Sequence, residues 1–220
     1  IEDSQLKYYA IEPISKDEEI LMPYGKYKKH SNAELLMDYG FVRPVNDNDL
    51  ACVRNPFYTK DFSYSDLKKE LLENFGIWRE HYCWTINEFP HELTWVMRII
   101  SFISSDIEKY SVRKLGALFK NAESADRGQP MDSVPFGTRV ENSAVKLSRS
   151  AVSKTLKAYE TTLEQDIELL KKQYHQEISL SYPEYAAIVV RSGEKRILEH
   201  ALVQLDEYSY FLSSADVTGS

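Results

Sequence analysis

The sequence predicts a mostly α-helical fold: an all-helical bundle with a long helical hairpin, preceded by a small β-containing segment. Beyond about residue 60, apolar residues recur at every third or fourth position, which is the pattern of one buried helix face. Residues 141–174 contain neither Gly nor Pro, whereas short β-branched and aromatic runs occur near the start of the chain. The 220 residues, 43% of them hydrophobic, are enough to bury a sizeable core.

The first fifty residues predict two short strands and a short helix. The runs Lys7–Ile11 and Glu18–Met22 are β-branched and aromatic or aliphatic, and a polar turn containing a proline separates them. Ser31 and Glu34 then form the pattern of a capping box, in which each side chain bonds the other residue's backbone N–H. Gly40 is placed to end this helix at the position that favours glycine.

Three shorter helices and a loop are predicted in the middle of the chain. Apolar residues spaced along one face predict helices at residues 65–75, 91–103 and 112–119, and Gly76 stops the first of them. Residues 121–138 hold two Pro, two Gly and several small polar residues, which is typical of a loop between helices.

Two long antiparallel helices are predicted to form a hairpin in the C-terminal part. The first is one amphipathic helix over residues 141–174, and Pro183 opens the second. Gly193 lies inside the second helix, where glycine costs about 1 kcal/mol relative to alanine, and we expect it to permit close packing or a slight bend. Acidic side chains of the first helix are expected to face solvent: Glu164, Asp166 and Glu168.

Composition excludes several classes of function. The formal net charge of −7 argues against a nucleic-acid binder that works through bulk charge, and it suits a partner with a basic surface. No apolar run approaches the roughly 20 residues of a membrane helix. The two cysteines, Cys52 and Cys83, provide no disulfide framework and no zinc-ligand spacing, so we expect no metal site and a reducing compartment.

Two stretches resemble a known family. Residues 18–42 read EEILMPYGKYKKHSNAELLMDYGFV, which looks like the C-terminal motif of SET-domain methyltransferases. More narrowly, the motif is similar to the branch typified by the Rubisco large-subunit lysine methyltransferase. Residues 158–170 (AYETTLEQDIELL) and 186–198 (AAIVVRSGEKRIL) resemble the paired long helices of that branch's substrate-binding domain. The order of these motifs is the same as in the family.

The resemblance implies the C-terminal portion of an S-adenosylmethionine-dependent protein-lysine N-methyltransferase. Residues 1–50 would be the C-terminal segment of a SET domain, and residues 60–212 a helical substrate-binding domain. Tyr24 falls on the family's catalytic tyrosine, which also contacts the cofactor. Tyr39 and Phe41 fall on positions that line the cofactor and the channel for the target lysine. The implied partner is a protein substrate that presents a lysine, with no nucleic acid and no membrane. A soluble intracellular location is expected, in cytoplasm, nucleus or chloroplast.

These residue types suit methyl transfer. A fixed phenol oxygen near the methyl group places partial negative charge beside a carbon that becomes more positive, which stabilises the transition state. Aromatic walls exclude water and hold an ammonium group over their faces before it loses its proton. Tyr24 is suited to the first role, and Tyr39 and Phe41 to the second.

The family's other cofactor motifs are missing. The chain contains no Gly-x-Gly, and no Asn-His pair precedes Tyr24. We therefore expect this segment alone to be inactive. Two alternatives stay open: a protein-histidine methyltransferase of the same branch, and a non-catalytic helical module that binds proteins. The pair Asp38-Tyr39 looks more like the lysine enzymes than the histidine enzyme.

Overall fold

Helices dominate the computed structural model, which describes residues 7, 9–20, 30–58, 66–88, 91–110, 114–115, 117 and 136–217. The strands are β1 (Ala51–Arg54) and β2 (His81–Trp84). The helices are α1 (Asn32–Tyr39), α2 (Asp66–Asn74), α3 (His91–Ile100), α4 (Ser104–Lys109), α5 (Thr138–Leu156), α6 (Leu163–Tyr174) and α7 (Tyr182–Val217). The mostly α-helical fold class is confirmed. Residues 114, 115 and 117 of the predicted helix at 112–119 are helical, whereas the rest of that helix and residues 121–135 of the predicted loop lie outside the described residues.

Helix α1 begins and ends where its caps were predicted. The Ser31 hydroxyl accepts a hydrogen bond from the Glu34 N–H, and the Glu34 carboxylate accepts one from the Ser31 N–H. Gly40 follows the helix with φ of 77°, a left-handed conformation that glycine adopts without steric cost. These caps fix both ends of an eight-residue helix that is too short to be stable by itself.

The strand predictions near the start of the chain were wrong for the residues that the structure describes. Neither residues 9–11 nor residues 18–20 form a strand, and the side chains of Ile11 and Ile20 are exposed. The strands instead lie further along, where β1 and β2 form an antiparallel pair with Ala51 opposite Trp84. Strand β2 falls within the segment predicted to be all-helical.

A disulfide joins the two strands on their outer face. Cys52 and Cys83 lie directly opposite each other, with their Cα atoms 4.1 Å apart. The Asn55 N–H bonds the Glu80 carbonyl, so by alternation the cysteines occupy a non-hydrogen-bonded pair, in which side chains approach most closely. The expectation that the two cysteines form no disulfide was therefore wrong, because strand pairing brings together residues that are 31 positions apart.

The hydrophobic core lies where α3, α5 and α7 pack together against the inner face of the strand pair. Every residue of α3 from Leu93 to Ile100 is buried, including Arg98. The Arg98 guanidinium lies 2.8 Å from the Glu141 carboxylate of α5, which also accepts a hydrogen bond from the Tyr208 hydroxyl of α7. One charged cluster thus joins the three core helices, and burial raises the pKa of Glu141 despite the neighbouring Arg98.

Two predicted helices end earlier than expected. Helix α3 stops at Ile100 and α4 begins at Ser104, so Ile103 is exposed between them. The predicted single helix over residues 141–174 is in fact two helices. Helix α6 starts anew because Thr162 forms a capping box with Gln165, a pattern that the predicted continuous helix overlooked.

Helix α7 runs unbroken for 36 residues and contacts α5, α6, α1 and β1. Gly193 lies where α7 packs closely against another segment of the chain. A Cβ atom at this position would be 2.6 Å from the Asp49 Oδ2 atom, a distance that atoms in proteins do not tolerate. The expectation of close packing at Gly193 is confirmed, and the segment that packs there is the loop after α1.

We predict that Gly193→Ala destabilises the protein, although alanine is the better helix former. The added methyl group must displace the Asp49 side chain, and overpacking of this kind costs about 1–3 kcal/mol. Urea denaturation followed by circular dichroism gives the free energy of unfolding. The variant Ala187→Gly, at an exposed position of the same helix, should lose about 1 kcal/mol from helix propensity alone.

The clash also predicts coupling between positions 193 and 49. If Asp49→Ala removes the obstructing carboxylate, then Gly193→Ala should cost less in that background than in the wild-type protein. Equal costs in the two backgrounds would show that Asp49 is not what requires glycine at this position.

Candidate functional site

Tyr39 and Phe41 lie together at the C-terminal end of α1, whereas Tyr24 lies outside the described residues. Their ring centroids are 6.3 Å apart, and the His30 ring lies edge-on to Tyr39 at 5.8 Å. Tyr39 is 41% exposed and Phe41 is 46% exposed. The structure therefore brings the two predicted site residues side by side on the surface, as part of a wall and not as a closed pocket.

Asn32 and Asp49 hold the segment that carries these aromatic rings. The Asn32 backbone N–H donates to Asp49 Oδ1 at 2.6 Å, and its side-chain amide donates to Oδ2 at 3.1 Å. Asn32 also bonds both backbone groups of Arg43, at 2.8 and 2.9 Å. Asn32, from the SNAEL motif, thus joins the start of α1 to Arg43 and Asp49 of the loop at residues 40–49, and Phe41 lies two residues before Arg43.

Burial raises the pKa of the Asp49 carboxyl, while hydrogen bonds from Asn32 act in the opposite direction. Arg196 and Arg43 also favour its ionised form. Sequence reasoning missed Asn32 and Asp49 as positioning residues. Their pairing spans 17 positions and no local pattern reveals it, although Asn32 belongs to a motif that was recognised.

Two contacts join this segment to α7. Tyr182, at the first turn of α7, accepts a hydrogen bond from the Val42 N–H at 3.1 Å through its hydroxyl. Asp49 packs on Gly193, eleven residues further along the helix, which is a distance of roughly 16 Å along its axis. The aromatic wall therefore has a fixed position relative to the helical part of the chain.

A cavity of about 200 Å³ lies between the loop of residues 44–49 and α7. Its lining includes Val45, Asp47, Ser192 and Arg196. Ligand pockets usually measure about 300–1,000 Å³, so this cavity is smaller than a cofactor of nucleoside size needs. Tyr39 and Phe41 are not among the residues that line this cavity.

The TTLEQD and GEK motifs meet in a buried ionic network. Lys195 lies 2.5 Å from Asp166 Oδ2 and donates to the Thr161 hydroxyl at 2.8 Å, and both charged side chains are 0% exposed. Arg191 donates two hydrogen bonds to Asp166 Oδ1 at 2.7 and 2.9 Å, and Thr161 donates a third. The prediction that Asp166 faces solvent was wrong, because these donors hold its carboxylate inside.

Hydrogen bonding outweighs burial at Asp166. Burial alone would raise its pKa, but the bonds from Arg191, Lys195 and Thr161 bring the pKa of this carboxyl below its ordinary value. The neighbouring Glu194 accepts a hydrogen bond from the Tyr159 hydroxyl at 2.7 Å, and burial raises the pKa of Glu194. The network fixes the start of α6 against the middle of α7, so both motifs have a structural explanation.

A family model described as the Rubisco LSMT substrate-binding domain matches residues 60–198. The chain belongs to this family. The match covers the helical part of the chain from before α2 to the buried network on α7. The resemblance inferred from the TTLEQD and GEK motifs is confirmed.

Known relatives are similar over most of the chain. The Rubisco large-subunit N-methyltransferase of Nicotiana tabacum is 27% identical over 82% of this chain and 35% of its own length. The actin-histidine N-methyltransferase of Callithrix jacchus is 28% identical over 92% of this chain and 32% of its own. The chain thus spans about a third of the length of these curated relatives.

A solved structure shares the fold. The crystal structure of the SET domain of LSMT bound to MeLysine and AdoHcy superposes with a TM-score of 0.63 at 22% identity. The similarity covers 87% of this chain and 41% of that one. Within the ranges described here, no helix has both the length and the apolar composition needed to cross a membrane.

We predict that Asp166→Asn lowers the free energy of unfolding by about 3 kcal/mol at pH 7, measured by urea denaturation. The substitution leaves the Lys195 ammonium buried without a counter-charge, and breaking a buried pair in this way costs about 3–5 kcal/mol. Glu168→Gln is the matched control, because Glu168 forms only an exposed pair with Lys172 on the same helix. It should change stability by less than about 1 kcal/mol.

The difference in stability between wild type and Asp166→Asn depends on pH. The native pKa of Asp166 is below the ordinary value of 3.8, so as the pH falls the unfolded chain takes up this proton first. The stability difference between wild type and Asp166→Asn is therefore fully present above the unfolded pKa and shrinks as the pH falls below it. A difference that grows on acidification would contradict the assignment of a lowered pKa.

Proposed function

We propose that this chain is the C-terminal portion of an S-adenosylmethionine-dependent protein-lysine N-methyltransferase. Residues 1–50 would be the C-terminal segment of its SET domain, and residues 60–212 its substrate-binding domain. The family match over residues 60–198, preceded by the SNAEL and DYGF motifs in the same order as in the family, carries this proposal. The tobacco relative, whose similarity covers 82% of this chain, supports the assignment.

In this proposal the substrate-binding domain orients a protein so that one lysine enters a channel beside Tyr24. S-adenosylmethionine supplies the methyl group when bound. The Tyr24 phenol oxygen would lie beside the reacting carbon and stabilise its increasing positive charge. Tyr39 and Phe41 would form one wall of the channel, exclude water and align the amine, because alignment alone lowers such a barrier by several kcal/mol.

The way the aromatic wall is held suits this role. Asn32, Asp49 and Tyr182 bond the backbone of the segment at three points, so the rings are supported by fixed backbone and not by a loose loop. A preorganised wall favours the reactive geometry without further ordering when substrate arrives. The compartment in which the protein acts is proposed to be the cytoplasm, nucleus or chloroplast.

A protein-histidine methyltransferase is the second candidate. The actin-histidine N-methyltransferase aligns with 92% of this chain, a larger share than the tobacco relative does. Peptide libraries that contain either lysine or histidine, but not both, separate the candidates when the full-length protein is assayed for methyl transfer. We expect transfer to the lysine library, and transfer confined to the histidine library would overturn the lysine assignment.

We predict that Tyr24→Phe in the full-length protein reduces methyl transfer about a hundredfold while substrate binding persists, because it removes one preorganised electrostatic group. Transfer of a radiolabelled methyl group to the protein substrate measures the rate. Tyr27→Phe is the matched control, since it is the same substitution three residues away, and it should leave the rate nearly unchanged. Full activity of Tyr24→Phe would remove Tyr24 from the mechanism.

A further inference from the structure

Two pairs of aromatic side chains, one at the end of α1 and one in the first turn of α7, make up an aromatic strip. We define this aromatic strip as Tyr39, Phe41, Tyr182 and Tyr185. Tyr39 and Phe41 are 6.3 Å apart between centroids, and Tyr182 and Tyr185 are 6.4 Å apart. The two pairs adjoin because Val42, the residue after Phe41, donates its N–H to the Tyr182 hydroxyl.

The strip is both exposed and rigidly supported. Tyr182 is 49% exposed, comparable to Tyr39 and Phe41, so three of the four rings keep much of their surface in solvent. The turn that carries Tyr182 and Tyr185 is capped by Glu184, whose carboxylate accepts hydrogen bonds from the Ser181 N–H at 2.8 Å and the Ser181 hydroxyl at 2.6 Å. Exposed rings held this firmly present a preformed binding surface.

Two carboxylates belong to the segments that carry the strip. Asp38 precedes Tyr39 and is exposed, and Glu184 lies between Tyr182 and Tyr185. Hydrogen bonds from Ser181 lower the pKa of Glu184, so this carboxyl is ionised at neutral pH. Arg43, two residues after Phe41, is exposed and adds one basic group near this end of the strip.

We propose that the aromatic strip docks a basic segment of the protein substrate, with lysine or arginine side chains lying over its rings. Cations bind the faces of tyrosine and phenylalanine within about 6 Å of the ring centroid, and nearby carboxylates strengthen this attraction. The strip begins at Tyr39 and Phe41, which the proposed function places in the wall of the lysine channel, and continues onto α7 of the helical domain. It therefore selects substrates that carry further basic residues beside the methylated one. This inference rests on the proposed function.

Tyr182 and Tyr185 are the new elements of this proposal. They belong to α7 and not to the SET motif, and no pattern in the sequence had marked them as site residues. Since they lie on the helical domain, they are positioned to recognise residues that flank the target and not the target itself. They act as specificity-determining residues in this proposal and take no part in the transfer step.

Peptide binding to the 220-residue chain tests the proposal without requiring methyl transfer. The probe is a fluorescein-labelled ten-residue peptide of Gly and Ser with four lysines, compared with the same peptide carrying four glutamates. Fluorescence anisotropy at low salt measures Kd for each. We expect binding of the lysine peptide to be at least tenfold tighter, and to weaken as salt is added.

Substitutions test separately how much the rings and the carboxylates contribute to peptide binding. Tyr182→Leu and Tyr185→Leu should each raise the Kd of the lysine peptide about threefold, because exposed cation–π contacts contribute about 0.5–1 kcal/mol, which corresponds to roughly two- to fivefold. Tyr210→Leu is the matched control: it removes another exposed tyrosine, near the far end of the same helix, and should leave Kd unchanged. Circular dichroism confirms that each variant is folded.

A second pair of variants keeps all four rings in place. Asp38→Asn and Glu184→Gln should each weaken binding of the lysine peptide about twofold and flatten its salt dependence. Equal affinity for the lysine and glutamate peptides, or an equal effect of Tyr210→Leu and Tyr182→Leu, would overturn the docking surface. If the full-length protein transfers no methyl group while the strip still binds the lysine peptide, then the proposed function fails and the surface stands.

Discussion

The buried ion pair between Asp166 and Lys195 is the interaction on which the arrangement of the chain depends. It fixes the register of α6 on α7, and α7 in turn contacts every other part of the fold that positions the site. Residues two apart on a helix point about 200° away from each other, so Gly193 and Lys195 face opposite sides of α7. Asp49 packs on one side and Asp166 bonds the other, while Glu194 between them bonds Tyr159. The GEK motif is therefore the helical turn of α7 that contacts both the loop after α1 and helix α6.

Two buried carboxylates in this protein show how burial and nearby cations act in opposite directions on a pKa. Asp166 receives bonds from two cations and a hydroxyl, and the pKa of its carboxyl is lowered. Glu141 accepts bonds from one cation, Arg98, and from the Tyr208 hydroxyl and the Phe136 backbone, and burial prevails, so the pKa of its carboxyl is raised. The ion pairs Asp166–Lys195 and Glu141–Arg98 are both fully buried, at positions where apolar residues could pack instead. They specify which helix faces meet, because a misplaced pairing would leave a charge buried alone.

Local signals in the sequence predicted the local structure well. The capping box of Ser31 and Glu34, the stop at Gly40 and the buried face of α3 all followed from patterns within a few residues. Pairings between distant residues did not. Nothing near Cys52 indicates that it lies opposite Cys83, and the strands that bring them together are only four residues long.

The same difference between local signals and distant pairings holds for the candidate site. The motif singled out Tyr39 and Phe41, and their roles stay a prediction. The contact of this segment with α7 was not foreseen, since Tyr182 lies 140 positions after Val42. The break between α5 and α6 was missed for a different reason. The capping box at Thr162 is itself a local signal, but a run without Gly or Pro concealed it.

The disulfide between Cys52 and Cys83 also changes how the chain behaves when its backbone is cut. The bond closes a ring of residues that contains α2 and residues 59–65. Protease cleavage anywhere inside this ring leaves two fragments joined covalently through the cysteines. The cut protein keeps its apparent mass in electrophoresis without reductant, and the fragments separate only after the sulfur–sulfur bond is broken. A nick inside this ring is therefore not detected by electrophoresis unless the disulfide is reduced first.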